Sequence, residues 1–287
     1  MTELPVPFTQ ELTSLDLGKE DEALVAGYAQ RHLGRMADLA ENAYESETRD
    51  FPIGSLHPLG RLAVIIWKLA EIRRKYEALG VSEGIIADTF SDIALGQRLF
   101  YQRTGKVGLS RADCIWLRHL ANAQIFKLGV LQYQPIGMFY PETHEDGSPF
   151  FVISEAQKAR LPAGTPVLNV HIQAGADLTQ ARVAESLYMA RDFFVQFFPE
   201  PRIKAMVCYS WLLYSGLKDL LPADSKILHF AENFDVVSET EDKRQAVERI
   251  FGKRFRRKAD YSQKTSLQRA ALRDPSKLGY ALGVIYL

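Results

Sequence analysis

Pro166-Val-Leu-Asn-Val-His-Ile-Gln-Ala-Gly-Ala-Asp-Leu-Thr-Gln-Ala-Arg182 runs on through Ser186 to Phe198, and its reading decides the fold. It reads as a strand, a glycine-bearing turn and a long helix in immediate succession, with Pro199 and Pro201 ending the helix. A backbone that turns from strand to helix through small residues leaves N–H groups unsatisfied at the helix start. Those groups and the positive end of the helix dipole suit an anion such as a pyrophosphate. Asp177 or Thr179 is a natural N-cap, so the same stretch also reads as a plain capped junction. An inward-pointing Asp177 carboxylate would repel a phosphate. The turn lacks the two further glycines of a dinucleotide fingerprint and the Gly-Lys-Ser/Thr of a P-loop, which sets both of those aside.

The chain around this stretch has 287 residues, enough for one large domain or two ordinary ones. Hydrophobic residues at 47% and charged residues at 24% are ordinary for a soluble globular protein. Acidic and basic side chains balance at 35 each, so bulk charge argues for neither a nucleic-acid nor an anionic membrane partner. Two cysteines, Cys114 and Cys208, are too few for a disulfide framework and suit a reducing compartment. There is no basic segment followed by an apolar run at the N-terminus, and no apolar stretch approaches the ~20 residues of a membrane span. The expectation is a cytoplasmic protein.

Working outward towards the N-terminus, residues 1 to about 20 are polar and proline-marked and read as extended. Apolar residues at a helical period predict a helix from Asp21 to about Ala43, a second over Pro58–Leu79, a third from Ser82 to Tyr101 and a fourth over Leu109–Ile125. From Phe126 the texture changes. Phe126–Pro135 alternates and predicts a strand, with Phe150–Ile153 as its return partner in a hairpin. Beyond the opening stretch, strands are predicted at Lys204–Leu213, Asp235–Ser238 and Leu278–Leu287. Helices are predicted at Leu217–Leu221, after an Asp224 or Ser225 cap, at Glu241–Phe251 and at Ser266–Leu272. The fold class is therefore α/β (α+β), with an all-helical domain over residues 1–124 and a mixed α and β domain over 125–287.

Chemistry concentrates in Lys204-Ala-Met-Val-Cys-Tyr-Ser-Trp-Leu-Leu-Tyr214. Period-2 parity puts Met206, Cys208, Ser210 and Leu212 on one face and Tyr209 on the other. A lone strand cysteine is a small buried hydrophobe unless a base stands beside it. His171 is the nearest candidate base in type; it shares a strand face with Asn169 and Val167, and parity does not decide whether that is the Cys208 face. The remaining histidines show no ligand spacing with the cysteines, so no metal site is expected. Lys253-Arg-Phe-Arg-Arg-Lys258 is the strong basic cluster, read as a solvated loop, a secondary phosphate contact or, lacking the aromatic platform of an RNA-recognition module, less readily a nucleic-acid contact.

Several segments then fall in a fixed order: Leu117-Arg-His119, Phe126-Lys-Leu-Gly129, Leu131-Gln132, Val170-His-Ile172 with Gly175, Phe193-Phe194 with Phe197-Phe-Pro199, and Cys208-Tyr-Ser-Trp-Leu-Leu213. Ile250-Phe-Gly252 and Thr265-Ser-Leu-Gln-Arg-Ala270 follow. Together they resemble the bacterial two-domain acyltransferase-like family, in which a helical N-terminal domain precedes a domain similar to the GNAT (GCN5-related N-acetyltransferase) fold. The resemblance implies an N-acyltransferase using acetyl-CoA or another acyl-CoA, with a small-molecule or peptide amine as acceptor. It implies that Val170, Ile172 and the turn Gln173, Ala174, Gly175, Ala176, Asp177 and Leu178 bind the acyl-CoA. It further implies that the pantetheine enters between splayed strands, that His171 acts as base, and that Tyr214 or Ser210 acts as acid. The family's turn has the form Gln/Arg-x-x-Gly-x-Gly/Ala, of which Gln173 and a shifted glycine are present. Rival readings are a CoA-binding or ligand-sensing protein without transfer activity, and acyl transfer or hydrolysis through Cys208 and His171.

Overall fold

Residues 3–44, 52–252 and 261–287 are described by the computed structural model. They divide into two units, Met1–Lys127 and Leu128–Leu287. The basic run Lys253–Lys258 lies outside the described residues.

The first unit is helical: α1 (Val6–Ser14), α2 (Lys19–Arg31), α3 (Leu33–Glu41), α4 (Pro58–Ala78), α5 (Glu83–Thr104) and α6 (Arg111–Ala121). In α4, Leu62 through Ile66, Leu69, Ile72 and Tyr76 are all fully buried, the signature of a central helix. The other helices pack around it. Tyr76 is apolar along its ring and satisfied at its tip, donating to the carbonyls of Leu120 and Ile125 at 3.2 and 2.8 Å. Arg73 pairs with Glu11 at 2.6 Å and with Glu83 at 2.6 Å, tying α1 and the start of α5 to α4. The N-terminal segment is thus not extended. Phe8, Leu12 and Leu15 recur at spacings of four and three and are buried, while Pro7 sits in the first turn, where a missing N–H costs nothing. The single helix expected from Asp21 is broken at His32 into α2 and α3. Among the described residues no helix is long and apolar enough to cross a membrane.

The second unit contains β1 (Phe126–Leu128), β2 (Leu131–Gly137), α7 (Glu155–Arg160), β3 (Pro166–His171), α8 (Gln180–Phe197), β4 (Ala205–Ser210), α9 (Lys226–Ala231), β5 (Asp235–Thr240), α10 (Arg244–Phe251), α11 (Ser266–Arg273) and β6 (Tyr280–Tyr286). One mixed sheet runs in the order β1-β2-β3-β4-β6-β5. Its β3–β4 pair is parallel, joined by α8 as a crossover, and the β2–β3, β4–β6 and β5–β6 pairs are antiparallel. This is the expected helical domain followed by a mixed-sheet α+β domain.

Three local expectations are corrected. The strand at Phe126–Pro135 folds back on itself at Gly129 (φ +66°), where a β-carbon would stand 3.2 Å from Ser186, so the hairpin lies within residues 126–137. Phe150–Ile153 is not its partner. Phe150 and Phe151 donate their N–H groups to Glu142 and Pro141 carbonyls, and Phe151 and Ile153 are buried against Val167, Val207 and Leu282. The β4 strand stops at Ser210, whose hydroxyl accepts from Leu212 N–H at 3.2 Å and turns Trp211–Leu213 into a 3-10 segment; Ser215–Asp219 is likewise 3-10.

Cross-strand register assigns the faces. Ile136, Val167, Ala205 and Tyr286 are level on one face, continuing through Gln134, Asn169 and Val207. The half of this face nearest the start of β3 is covered by Met138, Phe151, Ile153 and Leu161, with the Arg160 guanidinium lying 3.4 Å over the Tyr286 ring. The opposite face carries Tyr133, Val170, Leu168, Met206 and Cys208. There α8 packs down through Ser186, which bonds the Tyr133 hydroxyl at 2.9 Å, the Leu131 N–H at 3.3 Å and the Leu128 carbonyl.

Candidate functional site

The parallel pairing of β3 with β4 covers Val167, Leu168 and Asn169 against Ala205, Met206 and Val207. Both strands continue beyond it. Val170 and His171 stay paired to β2, at Tyr133 and Gln132, while Cys208 to Ser210 stay paired to β6, at Gly283 to Ala281. The strands therefore part after Asn169 and Val207. A gap between two strand edges presents N–H and C=O groups at strand spacing, which an extended amide-bearing chain can meet.

The gap opens just ahead of the turn. Ala176 N–H donates to the Gln173 carbonyl at 3.2 Å, and Gly175 takes φ +81°, a conformation that side-chain-bearing residues rarely adopt. Ile172 and Gln173 lead into it, Ala174 and Gly175 form its tip, and Leu178 anchors its exit by burial. Thr179 is the N-cap residue of α8, with Gln180 first in the helix. Asp177 does not point at the turn amides uncompensated. Its carboxylate accepts from the Thr179 N–H and hydroxyl, each at 3.3 Å, and pairs with Lys226 at 2.9 Å. Lys226, with the Thr179 contacts, holds this carboxyl below the usual range.

On the sheet face that carries Asn169, the end towards the gap is polar. His171 Nε2 lies 3.1 Å from Gln134 Oε1. Gln132 is level with His171 on β2, and parity places Tyr209 on the same face of β4. The Tyr209 ring stacks on Phe139, with centroids 4.8 Å apart and planes at 16°, and its hydroxyl donates to the Phe139 carbonyl at 2.5 Å. The Tyr209 carbonyl accepts from the Tyr280 hydroxyl at 2.9 Å. Burial pushes both phenols well above their ordinary range.

Cys208 and Ser210 lie on the other face. Cys208 is fully buried, beside Gly283, over which Leu213 and Phe234 close; burial drives its thiol far upward, away from the thiolate a nucleophile requires. The register thus answers what parity left open: His171 and Cys208 face opposite sides of the sheet, and the covalent route through the two has no geometry. Ser210 is engaged as the cap of the following 3-10 segment. The Tyr214 ring fits against Gly279 and Gly216, on the β6 side of β4, whereas His171 is on β3. Burial, then Glu239 and Glu241, raise its phenol. So His171 is brought together with Gln134 rather than with the expected acids.

Sequence reasoning passed over Gln134, Phe139 and Lys226, and set Tyr209 on the face away from Cys208 without a role. Gln132 and Gln134 stand two apart in a strand, a parity signal that was open to reading. Nothing local marks Lys226, which reaches Asp177 from 49 positions away.

The chain matches the family model of the N-acyltransferase N-terminal domain over residues 8–122 and that of the GNAT-like C-terminal domain over residues 125–285. No curated protein matches it. Among solved structures, it is similar to an acyltransferase in complex with CoA and 10C-teicoplanin, at TM-score 0.74 and 18% identity, covering 100% of this chain and 90% of that one. It is also similar to an acyltransferase in complex with decanoyl-CoA, at TM-score 0.72 and 21% identity over 96% of this chain and 86% of that one. A third is an acyltransferase in complex with decanoyl-CoA and teicoplanin, at TM-score 0.73 and 18% identity with the same coverage. At such identities the likeness is one of fold, while the two family models cover nearly the whole chain. The protein belongs to the two-domain acyltransferase family that joins an N-acyltransferase N-terminal domain to a GNAT-like C-terminal domain.

Proposed function

We propose that the protein transfers an acyl group from acetyl-CoA or another acyl-CoA to an amine by direct attack. The observation that carries this reading is the parting of β3 and β4 directly ahead of the Gln173–Leu178 turn. A pantetheine arm is extended and carries two amides, so it can pair with strand edges at Val170 and Cys208 as an added strand would. The amides of the turn and of the first turn of α8 receive the pyrophosphate, with the Lys226 charge offsetting Asp177. His171 takes the proton from the acceptor amine as the nitrogen adds to the thioester carbonyl; the C–N bond forms and the C–S bond breaks. Backbone N–H groups along the open edge of β3 polarise the carbonyl. With Ser210 and Tyr214 directed elsewhere, the leaving thiolate takes its proton from water.

For the acceptor, we assign a small molecule bearing an amine, of the glycopeptide-like class that similar acyltransferases hold. The exposed Phe139 ring stacked on Tyr209 supports this, because a flat apolar platform over the sheet face that carries His171 suits an aromatic or sugar-bearing acceptor. Thiol release is the test, with acetyl-, octanoyl- and decanoyl-CoA against a panel of aminosugars, glycopeptides and peptides. Release that depends on both partners is expected. If none of the acyl-CoAs raises the melting temperature, where a ligand at 100-fold its Kd adds about 2.7 kcal/mol, the reading is overturned.

A further inference from the structure

We propose that Tyr280 and Gln245 are positioning residues that pin the far end of β4 to β6 and α10, and so hold the gap between β3 and β4 open ahead of any ligand. The inference rests on the reading of that gap as the acyl-CoA site. Past Asn169 and Val207 the two strands present open edges to each other, and such edges close unless each is held from behind. Behind β3 stands β2, paired as far as His171. Behind β4 stands β6, whose register stops at Ser210 and Ala281, just where Trp211 turns into the 3-10 segment.

Side chains take the two backbone groups that flank Ser210 at this end. The Tyr280 hydroxyl donates to the Tyr209 carbonyl at 2.9 Å, and the Trp211 N–H donates to Gln245 Oε1 at 3.1 Å. Gln245 Nε2 closes the bracket by donating to the Tyr280 hydroxyl at 3.4 Å. Every group has one consistent role. A phenol has a single proton, here given to the carbonyl, so towards the amide it accepts. The amide turns its oxygen to Trp211 and its nitrogen to Tyr280, and reversing it would set donor against donor. Packing fixes the bracket in place. The Tyr280 ring lies 5.9 Å from Phe151 at an interplanar angle of 13° and 5.7 Å from Phe150, and Phe151 is buried in the cluster that contains Val207 and Leu282. Gln245 stands in the first turn of α10, whose start is fixed by the Asp242 carboxylate accepting the Arg244 N–H at 2.9 Å. Closing β4 onto β3 would pull Tyr209 and Trp211 away from both side chains.

Calorimetric titration with decanoyl-CoA, steady-state kinetics and hydrogen exchange at the Trp211 amide test the proposal together. Tyr280→Phe keeps the ring and removes the donor, while Gln245→Leu removes the partner of both Trp211 and Tyr280. Each variant should weaken decanoyl-CoA binding and raise its KM roughly three- to tenfold, with kcat at saturation within about twofold of wild type. Gln245→Leu should also speed exchange of the Trp211 amide about tenfold or more. Wild-type affinity in both variants overturns the proposal, as does a fall in kcat at unchanged KM. A Trp211 amide that exchanges as fast in wild type as in Gln245→Leu overturns it too. Should Gln245→Leu fail to fold, Tyr280→Phe, which loses a single oxygen atom, decides by affinity and KM. A wild type that binds neither acetyl- nor decanoyl-CoA sinks the reading of the gap instead, and exchange at Trp211 then decides whether the bracket holds the strand end.

Discussion

At the scale of single residues, charge placement matters more than the number of charges. Asp177 sits where a phosphate-binding turn should avoid an acid, and Lys226 answers it from a separate helix at 2.9 Å. Both groups are solvent-exposed, so the effect is modest and salt-sensitive. Lys226→Ala should weaken acyl-CoA binding roughly two- to fivefold, and adding Asp177→Asn should recover most of that loss, as read by calorimetric titration. Equal affinities across the three proteins would mean that the turn is not the phosphate site. Cys208 gives a second residue-level outcome. Being buried and held as a thiol, it should resist a thiol reagent at pH 8 in the folded state and react on unfolding, and Cys208→Ala should keep its turnover. Loss of turnover in that variant at unchanged stability would restore the covalent route.

At the scale of elements, the junction between α8 and the first hairpin is specified by one side chain. Ser186 alone serves the Leu131 N–H, the Tyr133 hydroxyl and the Leu128 carbonyl, all buried. Ser186→Ala should cost about 2–3 kcal/mol in urea unfolding, since the groups it serves lose a partner without access to water. A loss under 0.5 kcal/mol would show that the hairpin does not depend on it. The same junction explains what sequence reading misses here. A strand pattern over Phe126–Pro135 is visible, but that it turns at Gly129 depends on the approach of Ser186, more than 50 residues onward. The first helix, α1, was legible through Phe8, Leu12 and Leu15, yet two prolines masked it, although Pro at a helix start is well tolerated.

At the scale of the whole molecule, acids that the fold buries in their neutral form tie stability to alkaline pH. Burial, reinforced by Asp113 and opposed by Arg61 and Tyr44, pushes the Cys114 thiol from 9.0 up to about 11. A raised value means that folding favours the protonated form, so this contribution is complete below about pH 9 and is lost as pH rises through about 11. Wild type should therefore lose about 2–3 kcal/mol more than Cys114→Ala over that interval, measured as the difference between their unfolding free energies. Parallel profiles would exclude Cys114. On the larger question of form, the helical periods and the strand–turn–helix at Pro166–Phe198 were sufficient by themselves to determine a helical domain followed by an α+β domain, and the resemblance carried by the ordered segments implied that the second is GNAT-like. The periods are local, carried by the alternation of burial within one element. The site is different in kind. That β3 and β4 part after Asn169, that His171 faces Gln134 and not Cys208, and that Lys226 stands over Asp177 are relations between strands and helices distant in the chain. Parity within a strand assigns two faces but does not name them. Only pairing register, which is a property of neighbouring strands, decides which face meets which, and so only the tertiary structure decided which of these side chains share a face.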